Sequence, residues 1–129
     1  MQITEILEKV AKFQMATGQP VNDSPRLSAL RSDDLLRYEL MREENKEYIV
    51  ACTNRDLVEV LDAVVDMLYI LGGTINHHGL QNVVGEAFNR VHDNNMTKVG
   101  PNGKVIRNPD GKILKPEGFV PVDLKDLLK

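Results

Sequence analysis

The chain has 129 residues, enough for one domain with a single core and cramped for two. Its 42% hydrophobic and 27% charged residues fit a soluble globular protein and argue against a disordered or membrane-spanning chain, while a net charge of −3 speaks against a nucleic-acid binder that relies on an overall positive field. Cys52 is the only cysteine, so no internal disulfide or thiolate metal cage can form; with acids in the opening MQITEILEKV and no long apolar run, the expected location is the cytoplasm, away from membranes.

Ile3, Ile6, Leu7, Val10 and Phe13 recur at helical spacing and predict a first helix from a Thr4 cap to about Met15, ended by Gly18 and Pro20. Residues 18–31 read as a loop. Ser32 followed by Asp33 and Asp34 predicts a capped second helix, running to about Cys52, with acids in the first turn where the helix dipole favours them. A third helix is expected from Arg55 through Gly72-Gly73 to His78, with Gly79 as its stop. It is apolar nearly all round, which places it at the centre of a bundle. Leu80, Val83, Val84, Ala87, Phe88 and Val91 mark a fourth helix. Beyond Asn94, an Asn-Gly and a later Asp-Gly beside the short runs Val105-Ile106 and Ile113-Leu114 predict a small β-hairpin, and VDLKDLLK a short terminal helix. The expected fold is all-α: a four-helix bundle core over about 3–95, then a basic hairpin and tail over about 98–129, forming one domain. From Lys98 to Lys115, five basic residues (Lys98, Lys104, Arg107, Lys112 and Lys115) stand against a single acid, Asp110.

The acids of the third helix need an explanation. Glu59, Asp62 and Asp66 interrupt the apolar run EVLDAVVDMLYILGG and lie within an arc of about 60° on a helix. A carboxylate removed from water must be paired, hydrogen-bonded or metal-bound. On the second helix, Glu43, Glu44 and Glu47 continue a stripe that starts from Leu36 and Leu40, so two acidic stripes would meet on consecutive antiparallel helices. A solvated face partnered by Arg42 and Lys46 accounts for the second helix equally well, but the third has little solvated face to offer. All-oxygen donors select Mg²⁺, Mn²⁺ or Ca²⁺. A di-iron bundle is set aside, because no glutamate has a histidine three residues on.

Two motifs, EENKE at Glu43–Glu47 and EVLD at Glu59–Asp62, resemble the Glu-x-x-Glu and Glu-x-x-Asp signature of the all-α nucleoside triphosphate pyrophosphohydrolases. VDMLYILGGTINHHGL, NMTK and DGKILKPEGFVPVDL are most similar to the phosphoribosyl-ATP pyrophosphohydrolase-like branch, so the resemblance spans roughly Arg37 to Leu124. It implies a four-helix Mg²⁺ site, with Mn²⁺ as a substitute, and hydrolysis of the α–β phosphate bond of a nucleotide to a monophosphate and pyrophosphate. By position it implies Glu44, Glu47, Glu59 and Asp62 as metal ligands, with Glu43, adjacent to the first motif, as another ligand candidate. One of Glu43 and Glu44 would orient the attacking water, and Asp66 would support the site from a second layer. Asn95 and Lys98 match phosphate-contact positions, and Lys112 is a further candidate on charge. The chain departs from the family pattern at Arg90 and Asn94, where members often carry Glu and Ser, and at Val122, where they often carry proline.

Phe13, Gln14 and Tyr69 are candidates to hold a base, with core packing the simpler role for Phe13 and Tyr69. His77-His78 sits where a helix C-terminus favours a positive imidazole. The short core and the family analogy both point to a homo-oligomer, a dimer first. The competing function is a non-catalytic metal- or nucleotide-binding bundle acting as sensor or scaffold, and intact motifs favour the enzyme.

Overall fold

The computed structural model describes all 129 residues, and its regular elements are all helices, with no strand. The chain divides into two compact units, Met1–Asn82 and Val83–Lys129. Helices α1 (Ile3–Ala16), α2 (Arg31–Thr53) and α3 (Leu57–His77) build the first, with α3 packed against both of the others. The second holds α4 (Val84–Met96) and the short 3₁₀ turn α5 (Lys125–Leu128). None of the helices is long and apolar enough to cross a membrane.

Local chemistry sets the α2–α3 elbow. Arg55 takes a left-handed φ of 55°, its N–H bonds Cys52 O, and the N–H of Asp56 bonds Ala51 O, which closes α2 on its own last carbonyls. Asp56 then caps α3, its Oδ1 accepting from Glu59 N at 3.2 Å. Only residues 54–56 separate the helices, so they run antiparallel and side by side.

The α1–α3 seam combines close approach with a buried polar network. Leu7 and Val10 pack where Gly72 leaves room; a Cβ there would lie 3.3 Å from Val10 Cγ2. Gln14 is buried and donates to Gly73 O at 2.9 Å, while Asn76 Nδ2 donates to Leu7 O at 2.9 Å and to Gln14 Oε1 at 3.1 Å. Buried amides are tolerated because each finds partners. The loop after α1 closes the other end of α3: Asn22 N donates to Asn76 O, Asn22 Nδ2 to His77 O and Arg26 N to His78 O, at 3.0, 2.5 and 3.0 Å. These are carbonyls that a helix C-terminus leaves unpaired.

Several expectations change. Thr4 lies inside α1 and Ser32 inside α2, both of which start from residues without side-chain caps, Gln2 and Leu30. The expected β-hairpin is not formed. In its place, one antiparallel bridge joins Arg107 to Ile113, flanked by Leu114 N to Ile106 O at 2.7 Å. The two apolar runs are two residues each, too short for a ladder, and Asn108 Oδ1 draws the N–H groups of Asp110 and Lys112 into its own turn. The third helix is covered by α1 and α2 on one side only: Leu57 is 79% and Leu61 63% exposed.

In the second unit, Arg90 grips Asp126 with both terminal nitrogens, at 2.6 and 2.9 Å, and its Nε bonds Glu86 at 3.1 Å. The Asn94 amide donates to Val120 O at 2.9 Å and accepts from Val122 N at 3.2 Å. The three positions that depart from the family pattern therefore lie within one local tie between α4 and the terminal segment.

Gly79 tests the α3 terminus. It adopts a φ of +64°, and a Cβ on it would run into the carbonyl of Ser24 in the closing loop. Gly79→Ala should therefore lower the unfolding free energy by about 2–4 kcal/mol in urea titration, more than the left-handed conformation alone would cost.

Candidate active site

The pitch of α2 places Glu44 and Glu47, three residues apart, on the flank that faces α3, and α3 answers with Asp62 and Asp66, four apart. Carboxylate oxygens of Glu44, Glu47 and Asp66 all lie within 4.8 Å of one another. Asp66, expected from the motifs in a supporting layer, is thus in direct company with two of the motif glutamates. Glu43, one residue further round α2, is exposed and outside this group.

Burial and charge act together on Glu44. Its Oε2 is shut off from solvent and has no hydrogen-bond partner. Desolvation, then hydrogen bonding with the Glu47 carboxyl and the negative charges of Asp66, Glu47 and Asp62, push its pKa up to about 7. An orphaned buried oxygen beside two further carboxylates is the arrangement that a divalent cation satisfies. The residues present therefore fit such an ion.

A cleft opens on either side of the acids. One, of about 380 Å³, is lined by Glu47, Glu59 and Asp62 with Lys46, Asn54 and Asp56, so the remaining motif acids surround it. The other, of about 300 Å³, begins at Glu44 and Asp66 and continues past Phe13, Tyr69 and Ile70 to Gln14, Gln19 and Arg37. Phe13 and Tyr69 meet edge to face, with centroids 5.7 Å apart. Arg37, which carried no sequence motif, crosses from α2 to bond Ile70 O and Thr74 Oγ1 on α3.

Asn95, Lys98 and Lys112 belong to the second unit. Asn95 and Lys112 are exposed, and Lys98 Nζ sits 5.5 Å from the Phe119 ring centroid, where Lys115 also approaches at 5.7 Å. His77 and His78 form a separate group with Asp34. His77 is buried with its Nε2 2.6 Å from Ser28 Oγ, which in turn donates to Asp34, and His78 Nδ1 contacts Arg26 O at 2.9 Å. Both rings thereby fasten the closing loop to the end of α3.

The raised pKa of Glu44 fixes the sign of a pH effect. Between its unfolded value near 4.5 and about 7, the folded protein holds a proton that the unfolded chain has released, so stability is greatest below that window and is lost as pH rises through it. In EDTA, Tm should fall between pH 5 and pH 8, and Glu44→Gln should flatten that dependence. Differential scanning fluorimetry across pH reads both.

The comparison with known proteins agrees with this geometry. The phosphoribosyl-ATP pyrophosphohydrolase family profile matches residues 10–95, two-thirds of the chain, from within α1 to within α4. The matched segment contains Glu43, Glu44, Glu47, Glu59, Asp62 and Asp66 and ends at Asn95, so Lys98 and Lys112 lie beyond it. No curated protein matches the chain. With two acidic helix flanks converging inside the matched segment, the chain belongs to the phosphoribosyl-ATP pyrophosphohydrolase family, in the MazG-like all-α nucleoside triphosphate pyrophosphohydrolase superfamily, and is a hydrolase acting on acid anhydrides.

Proposed function

We propose that the protein is a Mg²⁺-dependent nucleoside triphosphate pyrophosphohydrolase that cleaves between the α and β phosphates of a nucleotide, leaving a monophosphate and pyrophosphate. The observation that carries this reading is the convergence of Glu44, Glu47 and Asp66 from α2 and α3 around a buried, unpartnered carboxylate oxygen. An all-carboxylate donor set suits Mg²⁺ or Mn²⁺ better than zinc or copper. Glu47 and Asp66 would hold the cation, with Asp62 and Glu59 completing the set from the adjoining cleft. A bound Mg²⁺ supplies charge neutralisation for the phosphates and steadies the departing pyrophosphate.

Glu44 is the residue best placed to orient the attacking water and take its proton, because its free oxygen lies among the acids. Glu43, exposed on the next position of α2, is not so placed. Asn95, Lys98 and Lys112 are proposed to bind phosphate oxygens, Lys98 and Lys112 as point charges and Asn95 as an amide donor.

The decisive assay is metal-dependent release of pyrophosphate and monophosphate from a nucleotide panel, with EDTA as the control. Glu47→Gln and Asp62→Asn should each lower kcat at least a hundredfold while Tm stays within a few degrees, since relieving like-charge repulsion offsets the lost cation. Full activity in either variant would remove that residue from the site.

A homodimer belongs to the same proposal. Leu57, Leu61, Val64, Leu68 and Leu71 alternate in steps of four and three along α3 and lie within an arc of about 80°, roughly opposite Glu59, Asp62 and Asp66. All five are exposed. A second copy would cover this stripe and bring α3 to the centre of a larger bundle. Sedimentation velocity should give a dimer for the native chain and a monomer for Leu61→Glu/Leu68→Glu; a native monomer at tens of micromolar would refute it.

A further inference from the structure

We propose that Arg37 reads the base of the nucleotide and selects one that presents two adjacent hydrogen-bond acceptors, as guanine and hypoxanthine do at O6 and N7 and cytosine does at O2 and N3. This inference rests on the pyrophosphohydrolase reading, which brings a nucleotide to the acids. The cleft of about 300 Å³ that starts at Glu44 and Asp66 leads away from them between apolar and aromatic walls, Phe13, Tyr69 and Ile70 among them. A phosphate is poorly served by such walls and is repelled by the carboxylates at the mouth. A flat heterocycle is suited to them.

Arg37 stands in this cleft half-buried and without a carboxylate partner. Its Nε donates to Thr74 Oγ1 at 3.0 Å, Nη1 to Gln19 Oε1 at 3.2 Å and Nη2 to Ile70 O at 2.8 Å. A guanidinium carries five N–H groups, so one remains on each terminal nitrogen. The three neutral acceptors fix the plane of the group without cancelling its charge. The side-chain oxygens of Gln14 and Gln19 in the same wall are already accepting, from Asn76 and from Arg37. Each keeps a second lone pair, and the Tyr69 hydroxyl can also accept, but side-by-side N–H groups are offered in this lining by Arg37.

A paired-acceptor edge satisfies both free N–H groups at once, in the manner of the bidentate arginine–guanine contact. Adenine sets an amino group beside N7, and uracil sets N3–H beside O4. Each would bring N–H against N–H, leaving a buried donor unpaired, which is a strong ground for rejection.

The test has two readouts. Calorimetric titration of the intact protein in EDTA with dGMP, dIMP, dCMP, dAMP and dUMP should show the first three binding at least about tenfold more tightly than the last two. With Mg²⁺, kcat/KM for the triphosphates should rank the same way, and 7-deaza-dGTP should lose the advantage of dGTP if the purine edge is the one read. Arg37→Met should bring the kcat/KM of dGTP and dCTP down to that of dATP. Equal affinity and equal kcat/KM across the five bases would overturn the inference and leave the enzyme reading intact. So would an equal loss on all substrates in Arg37→Met, which marks a phosphate or structural role. Monophosphate preference without any pyrophosphate release would keep Arg37 as a base reader and sink the enzyme reading. If Arg37→Met does not fold, the native panel and the 7-deaza comparison still decide.

Discussion

Three carboxylates held within 4.8 Å of one another are the constraint around which the first unit is arranged. Left alone they repel, and the repulsion grows as water is withdrawn. What keeps them together is packing from elsewhere: the three-residue elbow that forces α2 alongside α3, the Asp56 cap that fixes where α3 begins, and the amide network that clamps α1 to its far half. The elbow and the amide network are uncharged, and none of the three interactions uses a side chain of the clustered acids. The acids are therefore preorganised for a cation by parts of the chain that gain nothing from its arrival, which is how a site avoids collapsing or splaying when it is empty.

Helix α3 serves several neighbours through different faces. Its small residues admit α1 where Gly72 meets Val10 and Leu7, its acids turn toward α2, and its leucines look outward. A helix that is apolar nearly all round but surrounded on one side only is unusual for an isolated chain. The chemistry and the assembly are thus encoded by the same twenty-one residues, read on opposite sides.

Much of this was legible before any coordinates. Periodicity located four helices to within a few residues, and the acids stood out because an apolar run has no reason to contain them. Features that failed or were missed share a physical cause. Thr4 and Ser32 look like caps, yet neighbouring residues extend the helices past them. The Asp-Gly turn was real, but two-residue apolar runs could not build strands on it. Asp66 read as peripheral because the motifs end at Asp62, although its spacing from Asp62 already placed it on the acidic flank. Arg37 gave no signal, since its partners Gln19, Ile70 and Thr74 lie 18, 33 and 37 residues away. The family departures at Arg90, Asn94 and Val122 stand apart in the sequence, but the structure joins them: a proline at 122 could not donate the N–H that Asn94 accepts. Such substitutions make sense only as a set.

Gly73 carries a consequence of its own. A Cβ at this position would fall 2.5 Å from Nη2 of Arg37 and 3.2 Å from Nε2 of Gln14, so the guanidinium can lie across α3 only because nothing protrudes there. The orientation of the cleft's one cationic reader is set by an empty space on the neighbouring helix. A lineage adapting to a different nucleotide pool would have an inexpensive route open to it: a single methyl group at Gly73, which lines the cleft but presents no side chain to a ligand, would swing the reader aside, altering diet while leaving the clustered acids in place.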